Sequence, residues 1–185
     1  MKGVMILGSC NPQGQTASAA AALRQGLEED GSSCEQLFLT EMGIQRCRQC
    51  EADGWGICKS EGRCVIEDDF ACVAEKIRNA DAAVFATPVY FSDLSESMRA
   101  FLDRLRRITR HDCGKEKIAG KPAVGICVAG GGGGGAPACA VSLEKVLSTC
   151  GFDVVDMIPA RRQNLHLKLE VLRATGRWLA SGPSS

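Results

Sequence analysis

Residues 4–7, Val-Met-Ile-Leu, form a continuous apolar run between Lys2 and a polar stretch at 9–15. This is the pattern of a short strand buried on both faces. Residues 16–29 are Ala-rich, with Leu23 and Leu27 four apart, which predicts a helix ending near Gly31. Residues 34–39 read as a second strand, and a long irregular stretch follows. Asp68 or Asp69 can N-cap a helix that carries Phe70, Val73, Ala74 and Ile77 on one face. Residues 82–86 are again a buried strand, closed by Thr87-Pro88. Leu94, Met98, Phe101, Leu102, Leu105 and Ile108 keep helical spacing. Residues 123–128 read as a fourth strand. Val141, Val146, Leu147 and Cys150 suggest a helix stopped at Gly151, and Val154-Val155 opens a fifth strand. Residues 165–179 read as a last helix and 181–185 as a frayed tail.

Strands alternating with helices, without repeat or linker, predict one α/β domain over residues 1–185 with a parallel sheet. The loops at 9–15, 87–93 and 129–136 all follow strands. They should emerge on one edge of the sheet, where ligands bind in such folds.

The formal net charge is zero, so no long-range field draws the chain to nucleic acid or an anionic membrane. No uncharged stretch approaches the ~20 residues of a membrane helix. The N-terminal apolar run falls short of the roughly 7–15 residues of a secretion signal. The expectation is therefore a cytoplasmic protein, where structural disulfides are rare. Eleven cysteines must then be core filler, metal ligands or redox groups. Cys34, Cys127 and Cys150 lie in apolar patterns, and Cys72 falls inside a predicted helix; all four are read as core. Cys10 has no assigned role. The two histidines, His111 and His166, lack an evident catalytic setting, and no catalytic acid or base is assigned.

The loop GSCNPQGQT, residues 8–16, opens a helix, whose N-terminus offers unpaired N–H groups and a partial positive charge. Ser9, Asn11, Gln13, Gln15 and Thr16 add neutral polar groups around Gly14. The loop has no Gly-Lys pair of a Walker A motif and no G-x-G-x-x-G pattern. Neutral donors without a cation suit one terminal phosphate, as in FMN. The second loop, Pro88-Val89-Tyr90-Phe91-Ser92, places aromatic rings directly after a buried strand. There they can stack on a flat heterocycle or plug the sheet edge. The third, the run of six glycines from Gly130, Gly131 and Gly132 on to Gly135, lets backbone approach a ligand closely, and the residues alone do not say which of the six make contact.

Cys47, Cys50, Cys58 and Cys64 form a C-x2-C-x7-C-x5-C array within an irregular loop at about 40–67. Four thiolates can hold a [4Fe–4S] cluster. Zinc is the rival, although structural zinc sites more often show two C-x2-C pairs. Four free thiols are the third reading, and all three stand open on the residues alone.

GSCNPQGQT at 8–16, TPVYFSDLSESMRAFLDR at 87–104, the AGGGGGG run at 129–135 and RQNL at 162–165 resemble the NADPH-dependent FMN reductase family, and within it the iron–sulfur flavoproteins. The resemblance covers nearly the whole chain. It implies a flavodoxin-like three-layer fold with strand order 2-1-3-4-5 and noncovalent FMN. It implies NAD(P)H as electron donor and a small molecule or redox protein as partner. A homodimer or homotetramer is also implied. The FMN phosphate would lie on the 9–16 loop, and the flavin ring near residues 88–92 and 130–132. The insertion EADGWGI, residues 51–57, delays the third cysteine relative to the compact array of the iron–sulfur branch. The expected activity is an FMN-dependent oxidoreductase passing electrons to a cluster. The alternatives are an NAD(P)H-dependent FMN or quinone reductase with an empty cysteine loop, and a zinc-stabilised binding module without redox chemistry.

Overall fold

The computed structural model of the chain describes residues 1–29 and 31–182. Strands β1 (Lys2–Leu7), β2 (Ser33–Phe38), β3 (Ala82–Pro88), β4 (Pro122–Ala129) and β5 (Asp153–Arg161) form one sheet. All pairings are parallel and the order is β2-β1-β3-β4-β5, the flavodoxin-like arrangement. Helices α1 (Gln15–Glu29), α2 (Ile57–Ser60), α3 (Phe70–Arg78), α4 (Glu96–Ile108), α5 (Asp112–Lys115), α6 (Ala136–Cys150) and α7 (Leu165–Ala180) cover both faces.

Alternation along the strands divides the core into two layers. Val4, Ile6, Ala83, Phe85, Ala123 and Cys127 face the side closed by α3, α4 and α6. Met5, Leu7, Val84, Val124, Ile126 and Val128 face the side closed by α1 and α7. The two helices of that second side approach very closely. A methyl on Gly26 would collide with the Arg173 carbonyl, and one on Gly176 with the Leu23 carbonyl. Glu29 at the end of α1 pairs with both Arg173 and Arg177 of α7.

The predicted strands and long helices are all present. Leu39, read as the end of the second strand, instead opens a short 3-10 turn, Leu39–Glu41, and stays buried. Cys127 and Cys150 are core residues, and burial pushes the Cys150 thiol up to about 12. Cys34 is half-buried, with its thiol raised to about 11, chiefly by desolvation. Cys72 is a correction, because it is exposed. It lies two residues from Phe70, about 200° around the helix, on the face opposite Phe70, Val73 and Ile77. Val141 is likewise exposed, whereas Cys139, Ala140 and Leu143 fill that layer. Of the expected frayed tail, residues 183–185 lie outside the described residues.

Candidate functional site

Three of the strand-to-helix connections meet at the carboxyl edge of β1, β3 and β4. The ladder continues past the strands there: Gly8 donates its N–H to Ala86 O (2.8 Å) and Val89 donates to Val128 O (3.0 Å). The connections enclose a cleft of about 470 Å³, within the usual range of small-molecule sites.

The β1 connection folds on its own side chains. Asn11 Oδ1 accepts from the Gln13 N–H (2.9 Å), and Asn11 O accepts from the Gly14 N–H (3.1 Å). The first bond into α1 is Ser18 N–H to Gly14 O (2.9 Å). Helical geometry thus leaves the N–H groups of Gln15, Thr16 and Ala17 without an intrahelical acceptor. Ser9, Asn11, Gly14, Gln15 and Thr16 line the cleft. Gln13 does not; its side chain is exposed. Behind the loop, Thr40 donates its hydroxyl to Ser9 O (3.1 Å) and Ser97 donates to Gly8 O (3.3 Å).

Pro88, Val89 and Tyr90 of the β3 connection also line the cleft, and Phe91 and Ser92 do not. The cause is a tight turn in which Tyr90 and Asp93 exchange both backbone hydrogen bonds, at 3.0 and 2.9 Å. Phe91 and Ser92 are its two corner residues, with φ of 49° and 64°. That places Phe91 fully in solvent, so it neither reaches the cleft nor plugs the sheet edge. Left-handed φ at two non-glycine residues is a strained arrangement. In the third connection Gly130, Gly131 and Gly132 line the cleft together with Gly133 and Gly134. A Cβ on Gly132 would meet nothing within 4 Å, so this backbone faces open space. Gln163 holds the loop from outside by donating its amide to Gly132 O (3.2 Å).

The four array cysteines come together elsewhere. Cys47, Cys50, Cys58 and Cys64 line one cavity of about 20 Å³, and of the four only Cys50 is exposed. The insertion between Cys50 and Cys58 turns back on itself. Gly54, at φ +80°, donates to Glu51 O (2.8 Å), and Gly56 lies so close that a Cβ there would sit 3.0 Å from that of Cys50. Ile57 begins the single turn α2, which returns Cys58 to the other thiols. Among the described residues no three His, Cys, Asp or Glu side chains are grouped for a single metal ion.

Arg104 of α4 secures this loop. It is 1% exposed and bonds both Asp68 oxygens, at 2.7 and 2.9 Å, together with the carbonyls of Gln45 (3.0 Å) and Ile66 (3.3 Å). Asp68 also accepts from the Gln45 and Phe70 N–H groups, at 2.8 and 3.1 Å. Burial pushes the Asp68 carboxyl up, but the guanidinium and these N–H groups outweigh it and leave the pKa lowered. The residue predicted as a helix cap is thus chiefly an ion-pair partner.

Residues 1–163 match the family described as NADPH-dependent FMN reductase. The chain belongs to that family. An iron-sulfur flavoprotein of Methanocaldococcus jannaschii is 30% identical over 131 residues, 71% of this chain and 65% of the relative. One from Archaeoglobus fulgidus is 30% identical over 124 residues, 67% of this chain and 54% of the relative. The chain therefore spans less than two thirds of the length of these relatives. Among solved structures, an NAD(P)H:quinone oxidoreductase from Methanothermobacter marburgensis has the same fold. It superposes with a TM-score of 0.70 at 22% identity, covering 97% of this chain and 96% of that one. That family is one of FMN-binding oxidoreductases. No helix among the described residues is long and apolar enough to cross a membrane. Arg104, Arg107 and Trp55 were not singled out from sequence, and Asp68 was read only as a helix cap. The signal for Arg104 was present: it keeps helical spacing with Phe101 and Ile108 on a face that is otherwise apolar.

Proposed function

We propose that the chain works as one flavodoxin-like domain that binds FMN in the β1–β3–β4 cleft. It would exchange electrons between FMN and a [4Fe–4S] cluster on Cys47, Cys50, Cys58 and Cys64, with NAD(P)H as donor. The observation that carries this reading is the convergence of all four thiols on one cavity at the end of α4. The same helix, through Ser97, supports the floor of the cleft.

FMN, when bound, takes up two electrons and releases them singly, and a cluster takes one at a time. The chain's residues bind and orient. The open N–H groups of Gln15, Thr16 and Ala17, with the Thr16 hydroxyl, would hold the phosphate. The side-chain-free backbone at 130–132 and the Tyr90 region would take the ring. Four thiols ringing a cavity suit a multi-iron group with one thiolate on each iron. A single zinc needs its donors drawn to one point, and membership in a flavin family counts against a module without redox chemistry. One observation favours a second reading, an FMN or quinone reductase without a cluster: the cavity is only about 20 Å³.

A visible spectrum of protein purified without oxygen, with iron and sulfide assayed on the same sample, tests this. Flavin bands over a broad shoulder and about four iron per chain are expected. Flavin without iron, after reconstitution has also failed, selects the second reading. No flavin even after added FMN overturns both.

A further inference from the structure

Arg104 and Arg107, one turn apart on α4, both line the four-cysteine cavity. Their circumstances differ. Asp68 offsets the charge of Arg104, but the Arg104 Nε–H is buried and makes no well-aligned hydrogen bond among the described residues, with the Cys64 thiol beside the guanidinium. An unpaired buried donor is costly, and an acceptor within the cavity is the partner open to it. Arg107 has no carboxylate within ion-pair distance among the described residues. It donates Nη1–H to Gly54 O (2.6 Å), and its guanidinium lies 4.9 Å from the Trp55 ring centre. Gly54 and Trp55 belong to the insertion between Cys50 and Cys58. The insertion that widens the array therefore also fixes an uncompensated cation in the cavity wall.

We propose that this pair retains and tunes an anionic sulfur cluster, Arg104 by donating its Nε–H to a sulfur and Arg107 by its charge. The inference rests on the cluster reading above. An electron from reduced FMN would add one negative charge to a cluster that the four thiolates would hold, with no proton or ligand exchanged. A cation and an N–H donor in a partly desolvated wall favour that reduced state. Both are positioning residues, so activity alone would not isolate their effect.

The test is a spectroscopic redox titration of the reconstituted holoprotein, with iron and sulfide measured on each sample. Arg107→Gln should shift the cluster midpoint to more negative potential, and Arg107→Lys should restore it. Arg106→Gln is the control, since Arg106 is exposed, pairs with Asp103 and is not part of the cavity wall; it should leave the midpoint in place. Arg104→Lys, which keeps the charge but not the Nε–H, should move it in the same direction as Arg107→Gln. An unchanged midpoint in Arg107→Gln at parental iron content overturns the role of Arg107, and the same result in Arg104→Lys overturns that of Arg104. If Arg107→Gln loses its iron, the lysine variant decides: retention supports a charge effect and loss refutes it. A parent chain that takes up no iron removes the cluster reading and this inference together, a result distinct from the others.

Discussion

Asp68 and Arg104 show how much one buried ion pair organises. Their side chains are 6% and 1% exposed, and between them they bind four backbone carbonyl or N–H groups of the cysteine-bearing loop and its exit. Removing one member of such a pair leaves the other charge buried without compensation, at a cost of about 3–5 kcal/mol. Asp68→Asn should therefore lower stability by that order in a urea titration. The pH dependence has a definite sign. The Asp68 carboxyl is held low in the folded state, so its contribution is complete above the unfolded value of about 3.9. It is lost as pH falls below that and through the lower folded pKa. The parent should weaken in that acidic window more steeply than Asp68→Asn. Parallel pH profiles of the two would refute the assignment. Asp68 was legible only as a helix cap, because sequence shows its local N–H partners and not an arginine 36 positions away.

At the scale of elements, continuous apolar runs such as residues 4–7 and 82–86 predicted the strands, because strands buried on both faces need no alternation. The three ligand-side loops were equally legible, since parallel strands place all their exits on one edge. The cysteine loop was not. Its shape depends on Asp68, Asp69 and Arg104 reaching back to backbone groups at 43–45, and none of these bonds leaves a period in the sequence. The closeness of α1 and α7 was hidden for another reason: a glycine in a helix pattern ordinarily reads as a weak point. Gly176 provides the test. Alanine is the better helix former by about 1 kcal/mol, so an isolated helix would gain from Gly176→Ala. Here the new methyl would strike the Leu23 carbonyl of α1, and overpacking of this kind costs about 1–3 kcal/mol. A net loss in urea midpoint is expected. A gain would mean that α7 shifts freely on α1 and that the contact does not set the spacing.

Across the whole molecule, the cleft and the cysteine cavity lie at opposite ends of α4 and share no lining residue. Ligand effects at one should then be separable from damage at the other. FMN at 100 times its dissociation constant stabilises the folded state by about 2.7 kcal/mol, worth roughly 5–11 °C in Tm for a chain of this size. Riboflavin, which presents no phosphate to the start of α1, should give a much smaller shift. Thr16→Ala removes a hydroxyl donor to an anion, a loss of about 1.5–3 kcal/mol. At the same FMN concentration it should cut the shift to about half or less. Cys50→Ala should keep the full shift, because the cysteine sits in the other cavity. Thermal melts of the four combinations settle the placement. Equal shifts from riboflavin and FMN would show that the α1 N-terminus does not hold the phosphate. A reduced FMN shift in Cys50→Ala would show that the two sites are coupled through α4 rather than independent.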